Sequence, residues 1–221
     1  MADPMPDFAS QRANMVETQV RPNDVTDPRI HAALRDVPRE RFVPGVRQAL
    51  AYTEGPVEVA PQRYLMDARS FAKLLQLADI QPTDRILDVA AATGYSSAVL
   101  GQMGASVIAL EQDADLVRIA SDTLRATGAS NVTVAQGALT EGAKSSGPYD
   151  VIFINGGVER VPESLLAQLK EGGRLVAILQ SGPQGRAHIF VRQDGVVGSR
   201  GDFDTVVPVL VGFKKPVGFV F

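Results

Sequence analysis

The chain contains no cysteine and only two histidines, His31 and His188. The first absence removes disulfides, thiolate metal sites and a cysteine nucleophile. Two histidines are too few for a histidine-rich metal cluster, so no metal site is expected. Positive charge is not in excess either. Lys and Arg number 22 against 25 Asp and Glu, a net charge of −3, which argues against a general nucleic-acid-binding surface. No apolar run approaches the length that crosses a bilayer, and no membrane partner is expected. The start, Met1-Ala2-Asp3-Pro4, has no basic region followed by an apolar segment. It reads as free of an export signal, and the expected location is the cytoplasm.

What is present suits one domain with an extension: 221 residues, 45% of them hydrophobic, can bury a good-sized core. The central stretch runs from Arg85 to Ser97. Ile86, Leu87 and Val89 form an apolar run of the kind a strand needs when both its faces are covered. Very small residues follow, and Tyr95–Met103 then reads as a helix. Strand, tight turn and helix start make the first half of a βαβ nucleotide-binding unit, with free N–H groups at the helix start. Glu111 ends the next apolar run, Val107 to Leu110. That places its carboxylate at the tip of the neighbouring strand, where it can accept hydrogen bonds from ribose hydroxyls. The turn is short of glycine. Ala90 and Ala92 precede Gly94 at every second position, and alanine does not take positive φ cheaply, so a looser or shifted ligand fit is expected. The alternative is an ordinary βαβ crossover without a ligand. Asp88, at the strand end, is expected to contact a ligand or brace the turn.

Phe8 to Val20 has helical spacing, with Met15, Val16 and Val20 as buried positions. Asp27-Pro28 opens a second helix carrying Ile30, Ala33 and Leu34. Thr53–Met66 reads as a loop or short extended segment leading to a helix from Asp67 to Leu77. Strands are expected at Arg85–Val89, Ser106–Leu110, Val132–Gln136, Asp150–Asn155 and Arg174–Leu179. Helices are expected at Tyr95–Met103, Asp113–Thr127 and Pro162–Leu169, the last stopped by Gly172-Gly173. Ala187–Gln193 and Asp204–Gly212 are strand-like with no helix between them, which implies an antiparallel edge. His31 and His188 fall on a helix and a late strand, and both read as structural or exposed. The fold class is therefore α/β, a mostly parallel sheet with an antiparallel C-terminal edge and an N-terminal helical extension. Residues 1–78 form the extension and active-site segment, and 79–221 the Rossmann-like domain, in one compact unit.

In this order the pieces resemble the seven-stranded S-adenosylmethionine-dependent methyltransferase sheet, and most closely the protein-L-isoaspartate O-methyltransferase family. Val37-Pro38-Arg39-Glu40-Arg41-Phe42-Val43-Pro44 resembles the family's N-terminal signature. Leu87-Asp88 through Gly94-Tyr95 resembles its cofactor loop, and Glu111 matches its ribose-holding acid. Tyr149 to Asn155 resembles the fourth strand, and Leu169 with Gly172 to Val176 the entry to the fifth. The resemblance implies methyl transfer from S-adenosylmethionine to the carboxylate of an isoaspartyl residue in a protein or peptide, the first step of repair. It implies a cofactor site of Asp88, Ala90, Ala92, Gly94, Glu111, Ala138 and Asn155.

Three departures are visible. Alanines replace glycines at 90 and 92, and Gln136-Gly137-Ala138 has no acid where the family contacts adenine. The window from Val59 to Asp67 has no Ser or Thr, where the family supplies an active-site hydroxyl. Arg63 falls near that serine position, with Tyr64 beside it. Arg63 either pairs with a carboxylate substrate or is a solvated loop residue. Asn155-Gly156-Gly157 either faces the ligand or is a plain turn. The C-terminal stretch from Phe213 to Phe221, with Lys214 and Lys215, packs on its own domain or on a second copy, so a homo-oligomer is possible, or acts as a docking tail. Two alternative functions stand: a catalytically silent relative with a binding or regulatory role, and a dinucleotide-dependent oxidoreductase that uses Glu111 for its ribose.

Overall fold

The strand sequences decide where the sheet is buried. In Tyr149–Val158 alternate residues serve opposite faces: Val151 and Phe153 enter one apolar core with Val176 and Ile178, while Ile152 and Ile154 enter another with Leu175 and Ala177. A computed structural model, which describes residues 7–215, shows a seven-stranded sheet sandwiched between those two cores. Its parallel members are β3 (Arg85–Val89), β4 (Ser106–Glu111), β5 (Val132–Gln136), β6 (Tyr149–Val158) and β7 (Leu169–Ser181). The antiparallel strands β8 (Gln184–Gln193) and β9 (Val196–Asp204) complete the order β5-β4-β3-β6-β7-β8-β9. The order reverses direction beside β3, between β4 and β6. That switch point is where ligands of open α/β sheets bind, outside the carboxyl ends of the strands.

One face is covered by helices α1 (Phe8–Met15), α2 (Pro28–Asp36), α3 (Ala68–Ala78), α4 (Tyr95–Met103) and α5 (Ala114–Ala126), which supply Met15, Leu34, Leu74, Val99 and Leu124 to the first core. Acceptor side chains start four of these helices. Asp7, Asp27, Asp67 and Asp113 each accept a hydrogen bond from a first-turn backbone N–H, worth about 1 kcal/mol apiece. α1 continues as a wider π turn over Val16–Val20. In α3, Phe71, Leu74 and Leu75 are at most 1% exposed, and each contributes roughly 2 kcal/mol by leaving water. Phe71 meets Phe153 edge-on at 5.7 Å and Tyr95 at 5.6 Å, which ties the extension to the start of α4. The other face is covered by the short α6 (Glu163–Leu166), a 3₁₀ turn at Leu139–Glu141, and Leu210 and Phe213.

Four expectations change. The segment Thr53–Met66 contains an antiparallel hairpin of β1 (Val57–Ala60) and β2 (Arg63–Leu65), closed by Pro61 and Gln62, the latter at φ 59°. The helix expected over Pro162–Leu169 is one turn, because Leu169 already pairs with Tyr149. Gly172-Gly173 therefore does not stop a helix; it lies inside β7. A Cβ on Gly173 would come 2.9 Å from the carbonyl oxygens of Lys170 and Tyr149. The last strand is Val196–Asp204, not Asp204–Gly212. Asp194-Gly195 turns β8 directly into β9, and the chain after β9 crosses the sheet end instead. There Gly157 donates to the carbonyl of Pro208 at 2.9 Å and Leu210 donates to that of Gly157 at 2.8 Å. Phe213 is buried against the second core, and the rest of the C-terminal tail beyond Lys215 lies outside the described residues. Among the described residues no helix is long and apolar enough to cross a membrane, and no group of His, Asp and Glu could hold a metal ion.

Candidate functional site

The turn after β3 is held in a conformation its residues disfavour. Ala90 has φ 69°, Ala92 φ 51° and Gly94 φ 96°, so two alanines occupy left-handed backbone at about 1–2 kcal/mol each. Hydrogen bonds over-determine the loop. Ala90 and Ala91 both donate to the carbonyl of Leu110, Gly94 donates to that of Ala91, and Ala92 donates to Glu111 Oε2 at 2.9 Å. The alanine substitutions are thus accommodated with glycine-like dihedrals. Behind the turn, Thr93 Oγ1 donates to the carbonyl of Phe42 at 2.7 Å.

Glu111 lies at the tip of β4 and is fully buried. Its Oε1 accepts from the backbone N–H groups of Gln112 and Asp113, at 2.8 and 3.1 Å. The charge is met by Arg63 of β2, whose fork donates from Nη1 to Oε1 at 2.8 Å and from Nη2 to Oε2 at 2.5 Å. Arg63 is 8% exposed. It is therefore neither a solvated loop residue nor a group facing a substrate in this conformation. Sequence order could not show this pairing, since 48 residues separate the partners.

Beside Glu111 lies a second buried carboxylate. Asp88 Oδ2 accepts from Ser96 Oγ and Ser97 Oγ, both at 2.6 Å, and Asn155 Nδ2 donates to Ser96 Oγ at 2.8 Å. Asp88 Oδ1 is buried without a hydrogen-bond partner among the described residues. Burial pushes the Asp88 carboxyl up to about 7, and the Glu111 charge adds to that, against the lowering effect of the two serine hydroxyls and of Arg63. Ser96 and Ser97 were not singled out from sequence; their place in the first turn after a strand-end acid was the available signal.

Of the remaining candidates, Asn155 joins this cluster, whereas Ala138 is exposed before the 3₁₀ turn at Leu139. Tyr64 is half-buried and lines a small cavity with Gln62, Met66, Asn155, Gly156 and Leu210. The Val37–Pro44 block acts as a brace. Arg39 is buried, donates from Nε to the carbonyl of Ala51 at 2.7 Å and from Nη2 to that of Met66 at 2.8 Å, and stacks 4.7 Å over the Tyr95 ring. His31 Nε2 is paired with the carbonyl of Val25. His188 lies on β8 beside a separate cleft of about 780 Å³, lined also by Gln180, Arg186, Asp204 and Lys215.

A mostly parallel sheet with a carboxylate at its switch point and a small-residue turn beside it defines a nucleoside-binding α/β protein. Comparison with known proteins narrows this class. Residues 10–210 match the family model described as Protein-L-isoaspartate(D-aspartate) O-methyltransferase. The protein-L-isoaspartate O-methyltransferase of Rhodopseudomonas palustris is 40% identical over 162 residues, 73% of this chain and 74% of its own length. That of Koribacter versatilis is 35% identical over 186 residues, 84% of this chain and 83% of its own. A solved protein-L-isoaspartate O-methyltransferase superposes with TM-score 0.79 at 24% identity, over 91% of this chain and 66% of that one. A Plasmodium falciparum structure of this kind, in complex with S-adenosyl-L-homocysteine, gives 0.77 at 18% identity over 90% and 97%. These two structures show the shared fold. The chain belongs to the protein-L-isoaspartate(D-aspartate) O-methyltransferase family.

The resident side chains can be weighed against S-adenosylmethionine. Asp88 Oδ1, buried without a donor among the described residues, suits an ammonium group, and Glu111 at the strand tip suits a vicinal diol. The donor set fits. The arginine fork, however, already holds both oxygens of the carboxylate on which a ribose would depend.

Proposed function

We propose that the protein is a cytosolic S-adenosylmethionine-dependent methyltransferase acting on the free carboxylate of isoaspartyl residues in proteins or peptides. The observation that carries this reading is the pair of buried carboxylates, Glu111 and Asp88, flanking the turn at the sheet's switch point. Asp88, Glu111 and Asn155 are the polar residues that would hold the cofactor. Ala90, Ala92 and Gly94 would let it approach the backbone, with Ala138 at the adenine end. When bound, the cofactor supplies a methyl group on a sulfonium centre. The acceptor carboxylate is already a nucleophile, so the protein's task is to align it and exclude water, and no general base is required. That agrees with the placement of both histidines away from the turn.

Family membership sets aside the oxidoreductase alternative. The Arg63–Glu111 pair favours one second reading, a silent relative that binds a partner or a nucleoside without methyl transfer. Calorimetric titration with S-adenosylhomocysteine, followed by methylation of an isoaspartyl peptide, separates the two. Micromolar binding with methyl incorporation absent from the aspartyl control peptide is the expected result. Absence of binding up to millimolar concentration refutes the enzyme reading.

A further inference from the structure

Glu111 receives five hydrogen bonds: two from Arg63 and one each from Ala92, Gln112 and Asp113. A carboxylate offers about four lone-pair sites, so it is saturated. The three backbone donors are fixed by the turn and by the start of α5. Only the fork of Arg63, carried by a short hairpin, can be exchanged. A ribose diol and the guanidinium therefore compete for the same two oxygens. The displaced guanidinium comes from a site only 8% exposed, and an arginine so buried without a counter-charge is strongly unfavourable. It needs an anion, and the planar anion that matches its fork bidentately is a carboxylate. Gln62 and Tyr64, which flank Arg63 in the hairpin, and Met66 just after it line a small cavity with Asn155 and Gly156 of β6.

We infer that Arg63 exchanges partners: it holds Glu111 in the free protein and takes the substrate's carboxylate once a nucleoside occupies Glu111. This rests on the proposed methyltransferase reading and adds to it a specificity-determining residue. It makes cofactor and substrate binding mutually reinforcing, because each relieves the vacancy the other creates.

The test is calorimetric titration of S-adenosylhomocysteine, which cannot turn over, into the wild-type protein and into Arg63→Ala and Arg63→Met. The Met variant keeps an apolar stem for packing, and circular dichroism with thermal melting verifies the fold of each. Every titration is run alone, with a saturating isoaspartyl peptide, and with the same peptide blocked as its α-carboxamide. Without peptide, both variants are expected to bind at least tenfold more tightly than wild type, because the competitor is gone. The free-carboxylate peptide is expected to tighten binding to wild type at least fivefold, the carboxamide to have no effect, and the coupling to vanish in both variants. Equal affinities for wild type and variants overturn the exchange while leaving the methyltransferase reading intact. Coupling that survives in the variants overturns the carboxylate half. Folded variants and wild type that all fail to bind overturn both readings together.

Discussion

Replacing Asp88 with asparagine is expected to change how stability depends on pH. The Asp88 carboxyl is fully buried, with two serine hydroxyls on one oxygen and no hydrogen-bond partner among the described residues on the other. Burial raises it from 3.8 to about 7. Its folded-state value thus lies above its unfolded one, so the folded protein binds a proton that the unfolded chain releases. The associated stability is fully present below about pH 4 and is lost as the pH rises through about 7. At ~1.4 kcal/mol per unit, the loss between pH 5 and pH 8 comes to about 2–3 kcal/mol. Asparagine has nearly the same shape, its carbonyl can still accept from Ser96 and Ser97, and it does not titrate. Urea unfolding of both proteins at pH 5, 6, 7 and 8 reads the effect directly. All other titrating groups are common to the two proteins and cancel in the difference. The free-energy difference, Asn minus Asp, is expected to rise by about 2–3 kcal/mol across this range. Parallel profiles would show that Asp88 ionises as an ordinary surface acid, and the account of the cluster would fall.

Three further substitutions probe the frame around the site. Arg39→Met removes donors from the carbonyls of Ala51 and Met66 and the cation over Tyr95. Two buried acceptors without donors and a lost cation–π contact predict a loss of about 3 kcal/mol, seen as a fall in Tm of roughly 6–12 °C for a chain of this size; a change below 2 °C contradicts the bracing role. Ala92→Gly should leave stability within about 0.5 kcal/mol, because relief of left-handed strain at φ 51° offsets the freedom gained by the unfolded chain. Gly94→Ala should be destabilising, since φ is 96° and the new Cβ would meet Leu124 at 3.1 Å; chemical denaturation that ranked the two the other way would refute the reading of the turn.

The sheet's core was legible because its signals are local. Ile86, Leu87 and Val89 read as a doubly covered strand, the small residues after it as a tight turn, and Glu111 as the tip of the next strand. The antiparallel edge was legible in outline, but β9 was misplaced by several residues. None of its residues is buried, as suits an edge strand, and Val196, Val197 and Phe203 stand among Gly, Ser, Arg and Asp with no sustained apolar alternation. Val206 to Leu210 looked more like a strand, yet Pro208 cannot donate to a ladder and the segment instead meets Gly157 through an isolated bridge. The length of α6 was hidden because β7 begins at Leu169 through a long-range pairing with Tyr149. Arg63 is the same limitation at the site. Its residue type suits pairing with a carboxylate, and from sequence a substrate carboxylate stood against a solvated loop position; the structure pairs it instead with Glu111, which lies on another strand where no spacing rule reaches it.

The departures from the glycine-rich turn and the arginine on β2 become one arrangement around Glu111. A carboxylate buried at a strand tip needs its charge met even in the free protein, since burial of an isolated ion is far more unfavourable than that of a paired one. The left-handed dihedrals of Ala90 and Ala92 aim the Ala92 N–H at Oε2, the start of α5 supplies two more donors to Oε1, and Arg63 supplies the countercharge. Removing Glu111 would leave the guanidinium buried without its partner, at a cost of roughly 3–5 kcal/mol, whereas removing Arg63 leaves Glu111 with three backbone donors. The asymmetry follows from which partner is embedded in the sheet and which is carried on a two-stranded hairpin. It makes Glu111 the fixed member of the pair and Arg63 the one that a competing ligand can displace.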